Sequence, residues 1–271
     1  MRRYLVMLVA LLTIGVASAD SGKVIMKAVK SRHSYTAVEV FSPIKVVVEN
    51  RTEGNIIIRA TERMMSHIVL KVEGKTLKIS SDFKQINRND NIPIAEVYLP
   101  YNGNLYSFEA TAVSSIDVKP FISAEKLDIE CIGASRITIK GKANKADIEV
   151  AGGSNVDAEI QCTTLEAEVA GAAVLNLEGS ATKADIDVAG AATLNADEFN
   201  CSRLEAEVVG ASKAAVKGDI CTINVVGASS ATVECSSQLT ASAVGASSIR
   251  YSGDCKVNIV ENMGASSIKK R

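Results

Sequence analysis

The side chains with the clearest chemical potential are carboxylates that recur in pairs along the second half of the chain. Each pair occupies alternate positions of a segment such as Lys126-Leu127-Asp128-Ile129-Glu130, so both acids point to the same side of a strand. Stacked pairs would supply the oxygen ligands that Ca²⁺ prefers, or a negatively charged surface for a partner. The pairs are Asp128 and Glu130, Asp147 and Glu149, Glu166 and Glu168, Asp185 and Asp187, and Glu205 and Glu207.

A basic position precedes most of these pairs and leaves two interpretations open. Lys126, Lys145, Lys183 and Arg203 stand two positions before a pair, and Thr164 takes that place once. Neighbouring strands lie about 4.8 Å apart, so like charges in adjacent pairs repel by about 1 kcal/mol in water. The acids therefore form either a binding surface or a solvated face whose repulsion the cations partly offset.

Catalytic chemistry finds little support in the sequence. The chain has two histidines, His33 and His67, and neither lies in a recognisable nucleophile or zinc motif. Every carboxylate pair repeats, whereas an active site is expected to interrupt a repeat once. We therefore expect no enzyme activity, no catalytic residue, no metal centre and no cofactor.

Six cysteines are present, and none has the C-x-x-C spacing of a metal site. Cys162 and Cys201 share a column two repeats apart, which exceeds the roughly 7 Å Cα separation that a disulfide spans. Only Cys235 and Cys255 stack nearly in column on adjacent repeats. We interpret most of the six as small buried apolar residues, with Cys235 and Cys255 as the one pair placed for a disulfide.

The elements that position these side chains are set by a repeat of about 19 residues. Each repeat has a strand of alternating apolar and acidic residues, a turn of small residues that begins with glycine, and a second strand. A fixed period near 20 indicates a solenoid, in which each coil buries its apolar side against its neighbours. The glycine is expected to supply a corner conformation that other residues resist. These turn glycines are Gly133, Gly152, Gly171, Gly190, Gly210, Gly227, Gly245 and Gly264.

The predicted fold class is all-β: a parallel β-helix, that is, a single-stranded β-solenoid, with a β-rich N-terminal cap. The repeats occupy 111–271, and 20–110 is predicted as the cap because its β-branched segments lack the repeat. Cap strands are expected over 38–48, 55–61, 68–72, 76–80 and 95–99, with a loop over 82–91. Glu73-Gly74-Lys75 predicts a hairpin turn.

Residues 1–19 predict a signal peptide for export. Arg2 and Arg3 precede an apolar segment too short to span a bilayer, and Ala17-Ser18-Ala19 has the form of a cleavage site. No later stretch is apolar enough for a transmembrane helix. The protein is therefore expected in the periplasm, at the outer-membrane surface or secreted.

Composition narrows the choice of partners. The net charge of −1 provides no field that attracts nucleic acid, and aromatic residues make up only 4% of the chain, so base stacking has little support. We expect a surface glycan or a protein as partner. The last coil is expected to leave a strand edge open, which predicts a contact with a second copy unless Lys269, Lys270 and Arg271 blunt that edge.

A signal peptide, a β-rich start around 41–48 and 77–80, and coils of the form V-x-G-A-S-x-[AVIL] resemble the GIN-domain family. That family is described as head domains of autotransporter adhesins. The resemblance covers nearly the whole mature chain and implies a right-handed parallel β-helix with a role at the cell envelope. The family offers no catalytic residue to carry over.

The sequence therefore favours a non-enzymatic exported β-solenoid that acts in adhesion or in another cell-envelope interaction. Two alternatives remain open, because a fold does not by itself define a function. Parallel β-helices also host polysaccharide-active enzymes, which would need an unrepeated charged cluster in a groove. The other alternative is a periplasmic scaffold that acts through its open end.

Overall fold

The computed structural model describes residues 9–10, 23–30, 34–52, 54–82 and 95–271. Its architecture is nearly all-β, with 77% strand and 2% helix, which confirms the predicted class. Stacked parallel coils of about 19 residues form a β-solenoid of about nine turns. The chain divides into two compact units, Met1–Pro120 and Phe121–Arg271. His33, most of the predicted signal peptide and most of the predicted loop over 82–91 lie outside the described residues.

The described part of the first unit consists of short strands and one short helix. The helix, α1, is Glu62–Met65. The strands are β1 Val9–Ala10, β2 Val24–Val29, β3 Ala37–Phe41, β4 Lys45–Glu49, β5 Ile56–Thr61, β6 Ile68–Glu73, β7 Thr76–Ser81, β8 Ala95–Pro100, β9 Ser107–Thr111 and β10 Ser115–Ser123.

Two parallel ladders form the centre of the first unit. β3 pairs in parallel with β7 on one side and with β9 on the other, and β4 pairs in the same way with β8 and β10. The coil β3–β4 therefore lies between β7–β8 and β9–β10, and stacking order differs from sequence order. β6 lies antiparallel on β7, β5 antiparallel on β8, and β2 antiparallel on β5. These antiparallel strands cover an edge of the parallel ladders, so that edge is not left unpaired.

The predicted strand over 38–48 is divided in the structure. The chain turns at Ser42, whose φ is 109°, and resumes as β4. Pro43 follows Ser42, and a proline both lacks a backbone donor and restricts the residue before it. Helix α1 has no counterpart in the sequence-based prediction; Thr61 caps it, because its Oγ1 accepts a hydrogen bond of 3.3 Å from Met64 N.

The second unit consists of six long bent strands, each of which covers a full coil, and of shorter strands at either end. They are β11 Lys126–Gly133, β12 Arg136–Gly152, β13 Asn155–Gly171, β14 Val174–Gly190, β15 Thr193–Gly210, β16 Lys213–Gly227, β17 Ser230–Gly245, β18 Ser248–Ser252, β19 Lys256–Gly264 and β20 Ser267–Lys270. The two strands per repeat predicted from the sequence thus merge: a second strand runs without a break into the first strand of the next coil.

Inward-facing residues of the second unit stack in columns that form its core. In some columns large and small side chains alternate, which lets successive coils pack closely. One fully buried column consists of Leu127, Ala146, Leu165, Ala184, Leu204, Cys221 and Leu239.

Each turn glycine forms a sharp corner with a left-handed backbone. Gly152 has a φ of 80°, and a Cβ added to it would lie 2.6 Å from the carbonyl oxygen of Gly133, one coil earlier. That same carbonyl accepts a hydrogen bond of 2.6 Å from Gly153 N. The corner therefore needs glycine both for its backbone angle and for the close approach of successive coils. All eight turn glycines have positive φ values, between 79° and 93°.

A buried column of small residues lies beside the glycine corner. It holds serine at most positions and alanine at Ala173 and Ala192. The Ser135 hydroxyl donates to Ile132 O at 3.0 Å, and Ser135 N donates to Ser154 Oγ of the next coil at 3.3 Å. The Ser135 and Ser154 hydroxyls thus satisfy backbone groups at a buried turn, where an unpaired polar group would be costly.

Candidate functional site

Strand pairing brings the predicted acidic residues together on one side of β11 to β15. Lys126 pairs with Lys145, Asp128 with Asp147 and Glu130 with Glu149, and the register continues through the next coils. The first acidic column consists of Asp128, Asp147, Glu166, Asp185 and Glu205. The second acidic column consists of Glu130, Glu149, Glu168, Asp187 and Glu207. We call the two columns together the acidic face.

Alternation along each strand explains why these carboxylates share a face. Ile129 and Ile148 lie between the acids of their pairs and are buried, so the flanking acids must point outward. The acids of both columns from β11 to β14 line one shallow open groove. Because the coils stack in register, the groove repeats the same chemistry at each rung, about 4.8 Å apart.

A ladder of ion pairs joins the basic positions to the first acidic column. Lys126 Nζ lies 2.7 Å from Asp128 Oδ1 in its own coil and 2.9 Å from Asp147 Oδ2 in the next. Lys145 Nζ repeats the pattern, at 3.2 Å from Asp147 Oδ1 and 2.7 Å from Glu166 Oε2. Each lysine therefore neutralises charge within a coil and bridges two coils.

The ladder shifts the pKa values of its members. Burial alone would raise the pKa of Asp147, but hydrogen bonds from Lys126 and Lys145 outweigh burial and lower it. Hydrogen bonds to Asp128 and Asp147 raise the pKa of Lys126, and those to Glu166 and Asp147 raise the pKa of Lys145. Both lysines and Asp147 are thus charged throughout the physiological range, as expected for ion pairs at a surface.

The second acidic column differs because four of its five carboxylates are exposed and, in the described part of the chain, make no ion pair. Across the described residues, no ion pair reaches Glu149, Glu168, Asp187 or Glu207, and all four side chains are exposed. Ionised carboxylates accept hydrogen bonds and attract cationic groups. The arrangement can therefore hold ammonium or guanidinium groups, or the hydroxyls of a glycan, along one line.

The acidic face ends after β15. In the next coil, Thr222 and Asn224 occupy the positions of the two acids. In the coil after that, Thr240 and Ser242 occupy them. The paired acids thus occupy five consecutive coils, and a single acid, Glu261, returns to the second column beyond Ser242. Among the described residues, no cluster of three or more histidine, cysteine or acidic side chains has the geometry to hold a metal ion.

The remaining candidate residues lie away from the acidic face. His67 is exposed, and its Nδ1 lies 2.9 Å from Asp82 Oδ1 in the first unit. All six cysteines carry free thiols, and Cys235 contacts both Cys255 and Cys221. The proximity of Cys221 to Cys235 was not predicted from the sequence. The two residues belong to different columns, and the repeat pattern does not show that these columns meet at a corner.

Across the described residues, no helix has the length and apolar character needed to cross a membrane.

Coils stacked in register, with a glycine corner and a regularly charged side, define a repeat protein of the β-solenoid class. The chain belongs to the family described as "Putative auto-transporter adhesin, head GIN domain", which matches residues 34–220. This match confirms the resemblance seen in the sequence.

Several solved structures share the fold. A "putative adhesin" from Parabacteroides distasonis ATCC 8503 has a TM-score of 0.71 at 16% identity, covering 92% of this chain and 98% of that chain. A "putative adhesin" from Parabacteroides merdae ATCC 43184 has a TM-score of 0.69 at 19% identity, covering 92% and 97%. A "putative lipid binding protein" from Parabacteroides distasonis ATCC 8503 has a TM-score of 0.68 at 19% identity, covering 92% and 96%. Among curated proteins, none matches this chain.

Proposed function

We propose that this protein is an exported, non-enzymatic adhesin-like β-solenoid that binds a partner at the cell envelope. The observation that carries the proposal is the family match over residues 34–220, which spans more than half of the chain. Solved structures described as adhesins share the fold and support the same role. The predicted signal peptide over 1–19 supports export to the periplasm, the outer-membrane surface or the medium.

The acidic face is the surface that we assign to partner binding. Its second column offers Glu149, Glu168 and Asp187 as exposed carboxylates without cations, at one repeat per coil. A ligand that contacts several rungs gains from multivalency, because each further contact is intramolecular. The partner is a surface protein with spaced basic side chains or a glycan that donates hydroxyl groups. A repeated site of this kind suits adhesion better than catalysis, since every rung presents a pair of acidic side chains.

Protease accessibility on intact cells tests the location that adhesion requires. Trypsin is added to intact cells and to cells whose outer membrane has been permeabilised, and the protein is followed by immunoblot beside a periplasmic marker. Adhesion predicts cleavage in intact cells while the marker stays whole. Protection until the outer membrane is breached would contradict adhesion and would direct attention to a periplasmic scaffold.

A charge-matched pair of variants tests the acidic face. The test variant carries Glu149→Gln, Glu168→Gln and Asp187→Asn. The control carries Glu178→Gln, Asp197→Asn and Glu198→Gln, which removes the same charges from exposed positions outside the acidic face. Purified proteins are bound to an envelope fraction from cells that lack the protein. We expect the test variant to bind about tenfold more weakly and the control to match the wild type, because only the test variant loses the charge complementarity.

Equal binding by all three proteins would contradict the assignment and leave the acidic face as a solvated surface. Equal weakening of both variants would attribute binding to net charge and would also contradict it. Raised salt provides a second check, since exposed charge contacts weaken as the screening length falls.

A further inference from the structure

Three cysteine thiols meet at a corner between the last coils of the second unit. Cys221 lies on β16, Cys235 on β17, and Cys255 just before β19. Burial raises the pKa of the Cys221 and Cys255 thiols, and the neighbouring Cys235 thiol raises both further, so Cys235 lies near each of them. All three are reduced in this structure. Neither the acidic face nor the proposed adhesion makes use of them.

Glycines on both neighbouring coils make room for this cluster. Gly218 pairs with Cys235 across β16 and β17, and a Cβ at Gly218 would lie 3.0 Å from Cys221 Sγ. On the other side, a Cβ at Gly253 would lie 2.1 Å from Cys235 O. Any larger residue at these two positions would push the coils or the sulfur atoms apart. The small residues therefore hold Cys235 within reach of a thiol on either side.

The three thiols differ in their access to solvent. Cys221 and Cys235 are fully buried, whereas Cys255 is partly exposed. Cys235 also donates to Asp219 O at 3.3 Å, which fixes its sulfur inside the corner. An oxidant in solution therefore meets Cys255 first.

We propose that Cys235 and Cys255 form a reversible disulfide that fastens the last coil, β19 and β20, to the coil before it. The oxidant is an external disulfide, either a small-molecule disulfide or an oxidised dithiol oxidoreductase. The Cys255 thiolate attacks one sulfur of that disulfide, which releases one thiol and leaves a mixed disulfide on Cys255. The Cys235 thiolate then attacks Cys255 Sγ and expels the second thiol. Two protein thiols are thus oxidised, two protons are released from them, and the external disulfide is reduced to two thiols.

The last coil is the part of the second unit that gains most from such a link. Within the described residues, β19 pairs with β17 and β20 with β18, so this coil has one neighbouring coil. Its apolar side chains remain largely in solvent: Val260 is 66% exposed and Met263 is 57% exposed. Burial therefore stabilises this coil less than the others. A covalent link at Cys255 would hold its first residues in place.

Peptide mapping tests the proposal in the full chain. The folded protein is incubated with oxidised glutathione, free thiols are alkylated, and trypsin is added without reductant. Trypsin leaves Cys221 and Cys235 together in peptide 218–250 and Cys255 in peptide 251–256. We expect these two peptides to be joined and to separate on reduction. Cleavage after Glu234 then divides Cys221 from Cys235 and identifies the linked residue.

Variants and proteolysis complete the test. Cys255→Ser, at a partly exposed position, abolishes the joined peptides, and Cys162→Ser, also partly exposed, leaves them unchanged. Oxidation is expected to slow trypsin cleavage after Lys256 and Lys269 in the folded protein by about tenfold, because cleavage there requires local opening. Six free thiols, a link to Cys221, a Cys221–Cys235 disulfide within peptide 218–250, or a glutathione adduct that stays on Cys255 would each overturn the proposal.

Discussion

The turn glycines show how one residue type fixes the spacing between coils. A positive φ alone does not demand glycine, since Ser42 and Ala112 adopt φ values of 109° and 66° at corners of the first unit. At Gly152, the closeness of Gly133 O adds a second requirement. The two requirements together explain why glycine occupies this position in every coil of the second unit.

A single methyl group at this corner is expected to destabilise the protein. Gly152→Ala places a Cβ 2.6 Å from Gly133 O and keeps a strained φ of 80°, so we expect the free energy of unfolding to fall by about 3 kcal/mol. Urea denaturation followed by circular dichroism measures the change.

The adjacent glycine provides the matched control for that substitution. A Cβ at Gly153 would lie 3.7 Å from Gly133 O, an ordinary contact, and the φ of Gly153 is not in the left-handed region. Gly153→Ala should change the free energy of unfolding by no more than about 0.5 kcal/mol. Similar losses in the two variants would show that the close approach of the coils is not the cause.

At the scale of the strand, the ion-pair ladder adds a small and pH-dependent contribution to stability. The folded-state pKa of Asp147 is lowered, so its contribution is present above the unfolded value of about 3.9 and is lost as pH falls through the folded value. The pKa of Lys126 is raised, so its contribution is present below about 10.4 and is lost as pH rises through the folded value. The ladder therefore stabilises the strands between about pH 4 and pH 10.

Removal of one lysine tests this contribution. Lys126→Ala is expected to lower the free energy of unfolding at pH 7 by no more than about 1 kcal/mol, because half of the Lys126 side chain is exposed and solvent screens its ion pairs. The difference from the wild type should shrink at pH 3 and in 1 M salt. Lys183→Ala is the control, since Lys183 holds the same strand position and, in the described part of the chain, makes no ion pair. A difference that persists at pH 3 would attribute the loss to the lysine's aliphatic chain instead.

The sequence predicted the acidic face well because it depends on local rules. Alternation in Lys126-Leu127-Asp128-Ile129-Glu130 assigns each side chain to a face, and a constant period aligns the coils. The sequence could not predict that Lys126 also bridges to Asp147 in the next coil. That contact depends on side-chain reach between coils, which spacing alone does not define. The contrast between the first three acids of the first column, which lysines pair, and the four acids of the second column that make no ion pair in the described residues is therefore a structural result.

At the scale of the whole chain, the second unit could be predicted more fully than the first. In the second unit each coil neighbours the next one in sequence, so the repeat also gives the strand order. In the first unit β3 lies between β7 and β9, and such pairings leave no periodic trace in the sequence. The meeting of Cys221 with Cys235 was missed for a related reason: it occurs between columns, whereas the repeat describes each column separately.

Most differences in coil length in the second unit lie in the segment opposite the glycine corner. Register shifts fall there between Asn176 and Gly179, between Ala196 and Asn200, and between Gly218 and Ile220. One more shift falls between Ala241 and Ser242, on the strand that leads to the corner, yet each turn glycine still pairs with the next from Gly171 to Gly264. At the glycine corner every coil meets its neighbour through the same two backbone groups. If a coil were duplicated or deleted in the gene, the coils brought together would therefore still match at the glycine corner. Insertions of single residues would instead lengthen the segment opposite that corner. Homologues of this protein should differ in coil number far more readily than in the form of the glycine corner.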